Sequence, residues 1–343
     1  MTRKKPSKLQ TSIMRRVVPR LRRINYWLIA QFAMVVLWLL RRLPADKALN
    51  FADRMARRVG PWFGRHRTAV ANLRQAYPEM SDDEIEAIAL DMWGNMARLG
   101  AEYIFLDTLF DYDPNNKIPG RIEIVGTERF LAMAAEKKPH ILFTAHLGNF
   151  ELLPIAGATY GLNVTALFRP PNNPYIADYI LSTRRSTMGE LIASDTGVAF
   201  TLANVLEKAG NIGVLVDQKF INGLATTFFG RPCETNPVVP ILARRFDCDV
   251  YPTRCIRLPA NRYRLEIEEK LDLARNSEGD IDIHAATQQL NDVVERWVRE
   301  DPSQWMWFHK RWTMSGRKRS KRKPRDIAPD TKATAEKARS LDG

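Results

Sequence analysis

At 343 residues the chain can form one large core or two smaller ones, and 45% hydrophobic and 27% charged residues indicate a folded protein. The formal net charge is +13, but residues 1–23 carry nine Lys and Arg without an acidic residue, and residues 317–343 carry ten basic and four acidic residues. The body from 24 to 316 is therefore near neutral. This argues against a nucleic-acid-binding protein, which carries basic side chains on the fold itself, and favours anionic phospholipid as the partner of the basic ends.

The first predicted element is the apolar segment INYWLIAQFAMVVLWLL over residues 24–40, which contains no charged residue. As a helix it would be roughly 25 Å long, slightly shorter than the ~30 Å hydrocarbon core of a bilayer. No A-x-A-like cleavage site follows the segment, which argues against a cleaved signal peptide. Aromatic and basic residues lie at its ends, as is typical of membrane helices: Tyr26, Trp27, Trp38, Arg22, Arg23, Arg41 and Arg42. The sequence therefore favours a membrane-anchor helix over 24–40, after a basic segment over 1–23. An in-plane helix and a buried core helix are the alternatives.

Residues 44–107 are predicted to be mostly helical. The stretch ADKALNFADRMARRVGPWF has one apolar helical face, which suits either an interfacial helix or ordinary core packing. Ser81 and Glu84 form a Ser-x-x-Glu capping box, which predicts that a second long helix begins directly after Ser81.

From residue 121 onward, short apolar runs alternate with helical stretches, beginning with RIEIVG, TERFLAMAAEKK, HILFTAH, ELLPIAGATYG and NVTALF. The segments CDVYPTRCIRL and RYRLEIEE are interpreted as a final pair of strands, and the last helix ends at Pro302. This alternation predicts an α/β fold with a mixed, largely parallel central sheet flanked by helices. We expect one folded domain over 41–315 and a basic, disordered tail over 316–343.

Polar residues follow three of the predicted strands, at the carboxyl ends where α/β folds bind their ligands. ILFTA is followed by His146, NVTALF by Arg169, and NIGVLV by Asp217 and Gln218. Any one of these could be an ordinary strand end, but three together indicate a functional edge of the sheet.

His146 and Glu151 lie five positions apart in HLGNFE, on either side of a Gly-Asn pair. A turn there can bring the carboxylate back to the imidazole, which would fix the tautomer and leave the other ring nitrogen free to take a proton from a hydroxyl. The alternative is structural: His146 caps the next helix and Glu151 complements the helix dipole. The spacing alone does not decide between them.

Several kinds of site lack support in the sequence. There is no GxSxG, P-loop, HExxH or GxGxxG motif, which argues against a serine hydrolase, a P-loop enzyme or a zincin. Cys233, Cys248 and Cys255 show neither CxxC spacing nor a paired pattern, so neither a disulfide framework nor a structural zinc site is expected, and a reducing compartment fits.

TAHLGNFE resembles the H-x4-(D/E) block of the lysophospholipid acyltransferase superfamily. More closely, the chain is similar to the late acyltransferases of lipid A biosynthesis, of the lauroyl/myristoyl type. The resemblance covers roughly residues 20–315. It is carried, in order, by the N-terminal anchor, RHRTAVANLRQAYPEMS, the His block, ALFRPPNNP, GVLVDQKFINGLATTFFGRP and DPSQWMWFHKRW.

The resemblance implies an enzyme that transfers a fatty acyl chain from acyl carrier protein to a hydroxyl of a lipid A precursor. His146 would be the general base and Glu151 the carboxylate that orients it. Arg169 would meet an acceptor phosphate, since guanidinium makes bidentate bonds to phosphate. Asp217 and Gln218 would arrange the acceptor or the site. An acyltransferase of the same superfamily acting on lysophosphatidate or another glycolipid is the alternative.

The closing segment QWMWFHKRW adds His309 and Arg311 as further substrate-binding candidates. We expect acyl carrier protein, a lipid A precursor and inner-membrane phospholipid as partners, and no nucleic acid. No metal or redox cofactor is expected, because a direct His-activated transfer to a hydroxyl needs no metal. The acyl donor would be carried on the phosphopantetheine of acyl carrier protein. The domain would lie on the cytoplasmic face of the inner membrane. The group that stabilises the oxyanion is not evident from the sequence.

Overall fold

In this computed structural model the chain is described over residues 8–116, 120–136, 138–168, 172–187, 191–193, 198–312 and 314. Arg169 and the basic tail over 316–343 lie outside the described residues, as do residues 1–7 of the basic N-terminal segment. The α-helices are α1 Lys8–Leu40, α2 Ala45–Val59, α3 Gly64–Ala76, α4 Asp82–Glu102, α5 Leu106–Leu109, α6 Thr127–Ala135, α7 Leu152–Thr159, α8 Pro174–Thr187, α9 Val198–Glu207, α10 Val238–Phe246 and α11 Ile283–Glu300. The strands are β1 Ile122–Val125, β2 His140–Thr144, β3 Val164–Phe168, β4 Leu191–Ala193, β5 Asn211–Leu215, β6 Leu224–Phe228, β7 Arg231–Thr235, β8 Asp249–Leu258 and β9 Arg262–Ile267.

Helix α1 contains the predicted apolar segment and begins well before it, at Lys8. Its part from Val18 to Leu40, 23 residues, is long and apolar enough to cross a membrane, and only 11% of the apolar window is buried. The alternative of a buried core helix is therefore wrong. Near its middle the helix contacts the body, where the Asn173 side chain donates to the carbonyl oxygen of Tyr26 over 2.8 Å.

The helical region that follows was correctly predicted. Helix α4 begins at the expected capping box: the Ser81 hydroxyl accepts from the backbone N–H of Glu84, and the Glu84 carboxylate accepts from the backbone N–H of Ser81. Helix α2 packs on α4, burying Leu49, while Phe51 stays half exposed. The core-packing interpretation of α2 is therefore confirmed for the face that contains Leu49, and the interfacial interpretation stays a prediction.

The central sheet has seven strands in the order β1-β9-β8-β2-β5-β3-β4. The five from β8 to β4 run parallel to their neighbours, β9 is antiparallel to β8, and β1 is parallel to β9. The predicted mixed, largely parallel sheet and the final strand pair are both confirmed. The short hairpin of β6 and β7, which turns at Phe229 and Gly230 with positive φ, was not predicted.

Two hydrophobic clusters cover the two faces of the sheet. One contains α3, α4, α9, α10 and α11 and several large aromatic side chains, while the other packs α6 and α7 against β2, β3, β8 and β9. With both faces covered, the carboxyl ends of β2, β5 and β3 remain the open edge at which polar side chains can meet.

Candidate active site

The parallel pairing of β2 with β5 brings His146 and Asp217 together. Thr144 is in register with Leu215, and each of the two polar residues lies two positions beyond its strand partner. They are 71 positions apart in the sequence but share one end of the sheet. The predicted meeting of these two strand ends is therefore realised.

Asp217 contacts His146 twice. Its Oδ1 lies 2.8 Å from Nδ1 of the imidazole, and its Oδ2 accepts from the backbone N–H of His146 over 3.0 Å. Trp305 donates its indole N–H to the same Oδ2 over 2.8 Å. Because Asp217 is only 3% exposed, these three bonds fix both the carboxylate and the plane of the ring.

The ionisation of Asp217 follows from these contacts. Burial raises the pKa of its carboxyl, but the positive charge of a protonated His146 and the hydrogen bonds outweigh burial and hold the pKa well below its usual range. Asp217 is therefore ionised across the physiological range. An ionised carboxylate at Nδ1 keeps the proton on that nitrogen and leaves Nε2 as the basic one.

Gln218 faces the other ring nitrogen, with its Nε2 3.0 Å from Nε2 of His146. Its backbone carbonyl lies within 3.5 Å of the Arg311 guanidinium. Arg311 is 1% exposed and also donates to the carbonyl of Glu234 over 2.9 Å and to the side chain of Asn291 over 3.0 Å. The structure thus places Arg311 beneath the Asp217–Gln218 loop, as a support for it.

The segment after α11 holds the other side of His146. The backbone N–H of Met306 donates to the carbonyl of His146 over 3.1 Å, and Leu147 forms a β-bridge with Trp305. The ring of His309 lies 6.1 Å from that of His146. The predicted importance of QWMWFHKRW therefore has a geometric basis: the segment orients the imidazole and Asp217.

The sequence interpretation made Glu151 the carboxylate that orients His146, whereas the carboxylate hydrogen-bonded to Nδ1 is that of Asp217. Glu151 is 4% exposed at the start of α7, and its Oε1 accepts from the Tyr103 hydroxyl over 2.6 Å. Glu151 lines a cavity together with Phe150, the ring of which lies next to His146. Tyr103 had no signal in the sequence, because its role depends on how α4 meets the turn.

A buried polar group under this turn was also not predicted. The side chain of Asn149 donates to Glu102 over 2.8 Å, and Glu102 also pairs with Arg257 and accepts from the Tyr263 hydroxyl over 2.6 Å. Glu102 and Asn149 are each 0% exposed. The group anchors the middle of HLGNFE to α4 and to the β8–β9 strand pair.

The cavity lies between α7 and the sheet and is mostly apolar. The empty space there, counted together with the adjoining open solvent, is about 670 Å³. Phe130 and alternate positions of three parallel strands line it. In register, and starting from the level nearest His146, the strand positions are Thr144 and Leu215, then Leu142, Gly213 and Ala166, then Val164. The ring of Phe150, which also lines the cavity, lies 5.2 Å from that of His146. An apolar chain in this cavity would end next to the imidazole.

A cluster of side chains elsewhere in the fold consists of residue types that commonly bind metal ions. Atoms of Glu136, His140 and Asp249 lie within 4.8 Å of one another at the opposite edge of the sheet. The Lys138 ammonium pairs with Asp249 there, and a resident positive charge opposes cation binding. We assign no function to this cluster.

Comparisons with known proteins agree with the geometry. The model of the bacterial lipid A biosynthesis acyltransferases matches residues 14–314. A lipid A biosynthesis acyltransferase of Haemophilus influenzae is 24% identical over 75% of this chain and 80% of its own length. Two Escherichia coli relatives are a lipid A biosynthesis myristoyltransferase, 27% identical over 76% and 80% of the two chains, and a lauroyltransferase, 24% identical over 84% and 92%. The chain therefore belongs to the bacterial lipid A biosynthesis acyltransferase family and is an acyltransferase.

Proposed function

We propose that this enzyme transfers a fatty acyl chain from acyl carrier protein to a hydroxyl of a lipid A precursor, as a secondary acylation. The observation that carries the proposal is an apolar cavity with one end next to a His–Asp pair, where the ring of Phe150 lines the cavity and contacts the imidazole. A cavity of this kind takes an alkyl chain and excludes water, and the pair supplies a base at the point where the chain ends.

The chemistry follows from the two ring nitrogens of His146. Asp217 holds Nδ1, so Nε2 takes the proton of the acceptor hydroxyl while the hydroxyl oxygen attacks the thioester carbonyl. Asp217 then stabilises the imidazolium that forms. The carrier thiolate leaves and takes the proton from Nε2. General-base assistance of this kind contributes roughly 10²–10⁴-fold. No metal or redox cofactor takes part in these steps.

Glu151 remains a predicted catalytic residue, because it lines the cavity, where it accepts a hydrogen bond from the Tyr103 hydroxyl. Arg169 follows β3, the neighbour of β5, and we propose that it meets a phosphate of the acceptor. We retain His309 as a substrate-binding candidate because of its closeness to His146. Arg311 acts through the loop of Asp217 and Gln218.

The environment we propose is the cytoplasmic face of the bacterial inner membrane, with α1 as the single anchor. Its exposed apolar side chains, such as Phe32 at 73% and Trp38 at 57%, suit contact with phospholipid, and arginines lie at both ends of the segment. We propose that acidic acyl carrier protein docks on a basic patch, for which Arg244 and Arg245 in the last turn of α10 are exposed candidates. Arg184 and Arg185 are two further candidates from the sequence.

The test is an assay of membranes that contain the enzyme, supplied with acyl carrier thioester and either a lipid A precursor or lysophosphatidate. We expect an acylated lipid A precursor by mass spectrometry, and no such product from a His146→Ala variant at equal protein level. Acylation of lysophosphatidate alone would show that the acceptor is wrong. Equal activity in the His146→Ala variant would show that the proposed base is wrong.

A further inference from the structure

The tetrahedral intermediate of acyl transfer carries a negative oxygen, and this oxygen needs hydrogen-bond donors. Four backbone N–H groups of the turn after β2 are already bonded inside the protein. They donate from His146 to Asp217 over 3.0 Å, from Leu147 to the Ala145 carbonyl over 2.7 Å, from Gly148 to the Gln304 carbonyl over 3.1 Å, and from Glu151 to the Asn149 side chain over 3.1 Å. Because these four groups have partners, we looked for a donor among the side chains next to His146.

Gln218 has the required position. With the proton of His146 on Nδ1, the Nε2 lone pair accepts from the Gln218 amide over 3.0 Å. The amide thus occupies the place that the acceptor hydroxyl must take before Nε2 can remove its proton. The backbone of Gln218 is held between the buried Asp217 and the Arg311 guanidinium, while its side chain is partly exposed. Rotation of the side chain alone can move the amide aside.

Three other side-chain donors in this region already have hydrogen-bond partners. The Trp305 indole N–H is bound to Asp217, the Tyr103 hydroxyl to Glu151, and the Arg311 guanidinium is buried against carbonyls and Asn291. Gln218 differs from these three residues because its amide is bonded to Nε2 of His146. A substrate hydroxyl has to displace the amide from Nε2, and the amide is then free to donate to another oxygen.

We propose that the side-chain amide of Gln218 is the oxyanion donor of this enzyme. In the free enzyme it covers Nε2 of His146. The acceptor hydroxyl displaces it, and the amide then donates to the thioester carbonyl oxygen. As the hydroxyl oxygen bonds to the carbonyl carbon, its proton passes to Nε2 and the C=O electron pair moves onto the oxygen held by Gln218. The C=O bond then re-forms, the C–S bond breaks, and the thiolate takes the proton from Nε2. This inference rests on the proposed function.

The test compares wild type with Gln218→Met, which keeps the side chain's length but has no donor, and with Gln75→Met on α3 as a control away from His146. We expect kcat of Gln218→Met to fall roughly 10²–10³-fold, the loss typical for one oxyanion donor, with KM for both substrates within about threefold. Binding of a trifluoromethyl ketone analogue of the acyl donor, which presents a tetrahedral oxygen, should weaken by a similar factor. Binding of a thioether analogue, which lacks the carbonyl oxygen, should not change. Gln75→Met should behave as wild type.

The proposal is overturned if Gln218→Met keeps kcat within about threefold, or if it weakens the ketone and thioether analogues equally, since a residue that only shapes the site would do the latter. The assay follows thiol release and identifies the acylated lipid. If wild type acylates another hydroxyl lipid, the acceptor in the proposed function is wrong, and the Gln218 comparison is made on that lipid instead.

Discussion

Asn149 donates its side-chain amide to Glu102 over 2.8 Å, which ties the turn after His146 to a carboxylate with no exposed surface. Glu102 is also the ion-pair partner of Arg257. Burial alone would lower the pKa of the Arg257 guanidinium, but the attraction of Glu102 is stronger and raises this pKa above its usual value. The shape of the turn after His146 and the stability of the fold therefore depend on the same buried group.

We expect Glu102→Ala to lower the free energy of unfolding by about 3–5 kcal/mol, because it leaves the buried Arg257 without its counter-charge. Urea denaturation followed by circular dichroism measures this. The control is Asp82→Ala, since Asp82 pairs with Arg74 on the surface with 79% of its side chain exposed, and a change within about 1 kcal/mol is expected. Equal effects of the two substitutions would contradict the anchoring role of Glu102.

Position 148 requires glycine, both because of its backbone conformation and because of the atoms around it. Its φ is +58°, and a Cβ placed on it would lie 2.0 Å from the carbonyl oxygen of Cys255. We expect Gly148→Ala to abolish activity and to lower the melting temperature, because backbone of the turn or of β8 must move. Gly161→Ala is the matched control: its φ is +76°, but no atom lies within 4 Å of the added Cβ. The control should lose only about 1 kcal/mol and keep its activity. Thermal denaturation and the acyl-transfer assay on both variants test this.

The sequence predicted the edge of the sheet at which the site lies, because His146 and Asp217 each follow an apolar strand and parallel strands end at one edge. It could not predict which carboxylate would reach Nδ1. Glu151 is close to His146 in the sequence, but Asp217 reaches it through strand register, 71 positions away. Sequence spacing predicts local contacts well, whereas contacts across the sheet depend on strand order.

The residues that hold His146, Asp217 and Glu151 in place were also hard to predict, because most of their contacts join distant parts of the chain. The capping box at Ser81 was predictable because Glu84 lies three residues away on the same helix. The contacts of Tyr103 with Glu151 and of Trp305 with Asp217 join elements far apart in the chain, so neither contact leaves a local pattern. Arg311 was noticed for its charge, but only packing shows that it is buried beneath the site.

The substitution Asp217→Asn tests whether Asp217 orients the imidazole of His146. The amide has the shape of the carboxylate but cannot hold the imidazole in the same tautomer or stabilise its charged form. We expect kcat to fall roughly 10³–10⁴-fold, as for the orienting carboxylate of a hydrolase triad, while the acyl donor still binds. Single-turnover kinetics and donor binding are the measurements. A loss below tenfold would show that another carboxylate orients His146.

The lowered pKa of Asp217 has a consequence for acid stability. The folded pKa lies below the unfolded value of about 3.9, so ionised Asp217 contributes its full stabilisation above that pH, and the contribution is lost as the pH falls toward the folded value. We expect the free energy of unfolding of wild type to fall more steeply below about pH 4 than that of Asp217→Asn. Denaturation curves between about pH 2 and pH 7, taken at roughly half-unit steps, measure the difference. Parallel curves would contradict an ionised Asp217 in the fold.

The cavity should set the length of acyl chain that the enzyme accepts. Ala166 lies at its middle level, in register with Gly213, so a larger side chain there would block the path toward Phe130. We expect Ala166→Leu to shift the preferred donor to a shorter chain and to reduce transfer of the wild-type chain at least tenfold, because overpacking a filled cavity costs about 1–3 kcal/mol. Competition between carrier thioesters of different length measures this.

Ala199→Leu, which adds the same atoms at an exposed position on α9, should leave the preference unchanged. A uniform loss over all chain lengths in Ala166→Leu, with normal folding, would mean that the acyl chain lies elsewhere.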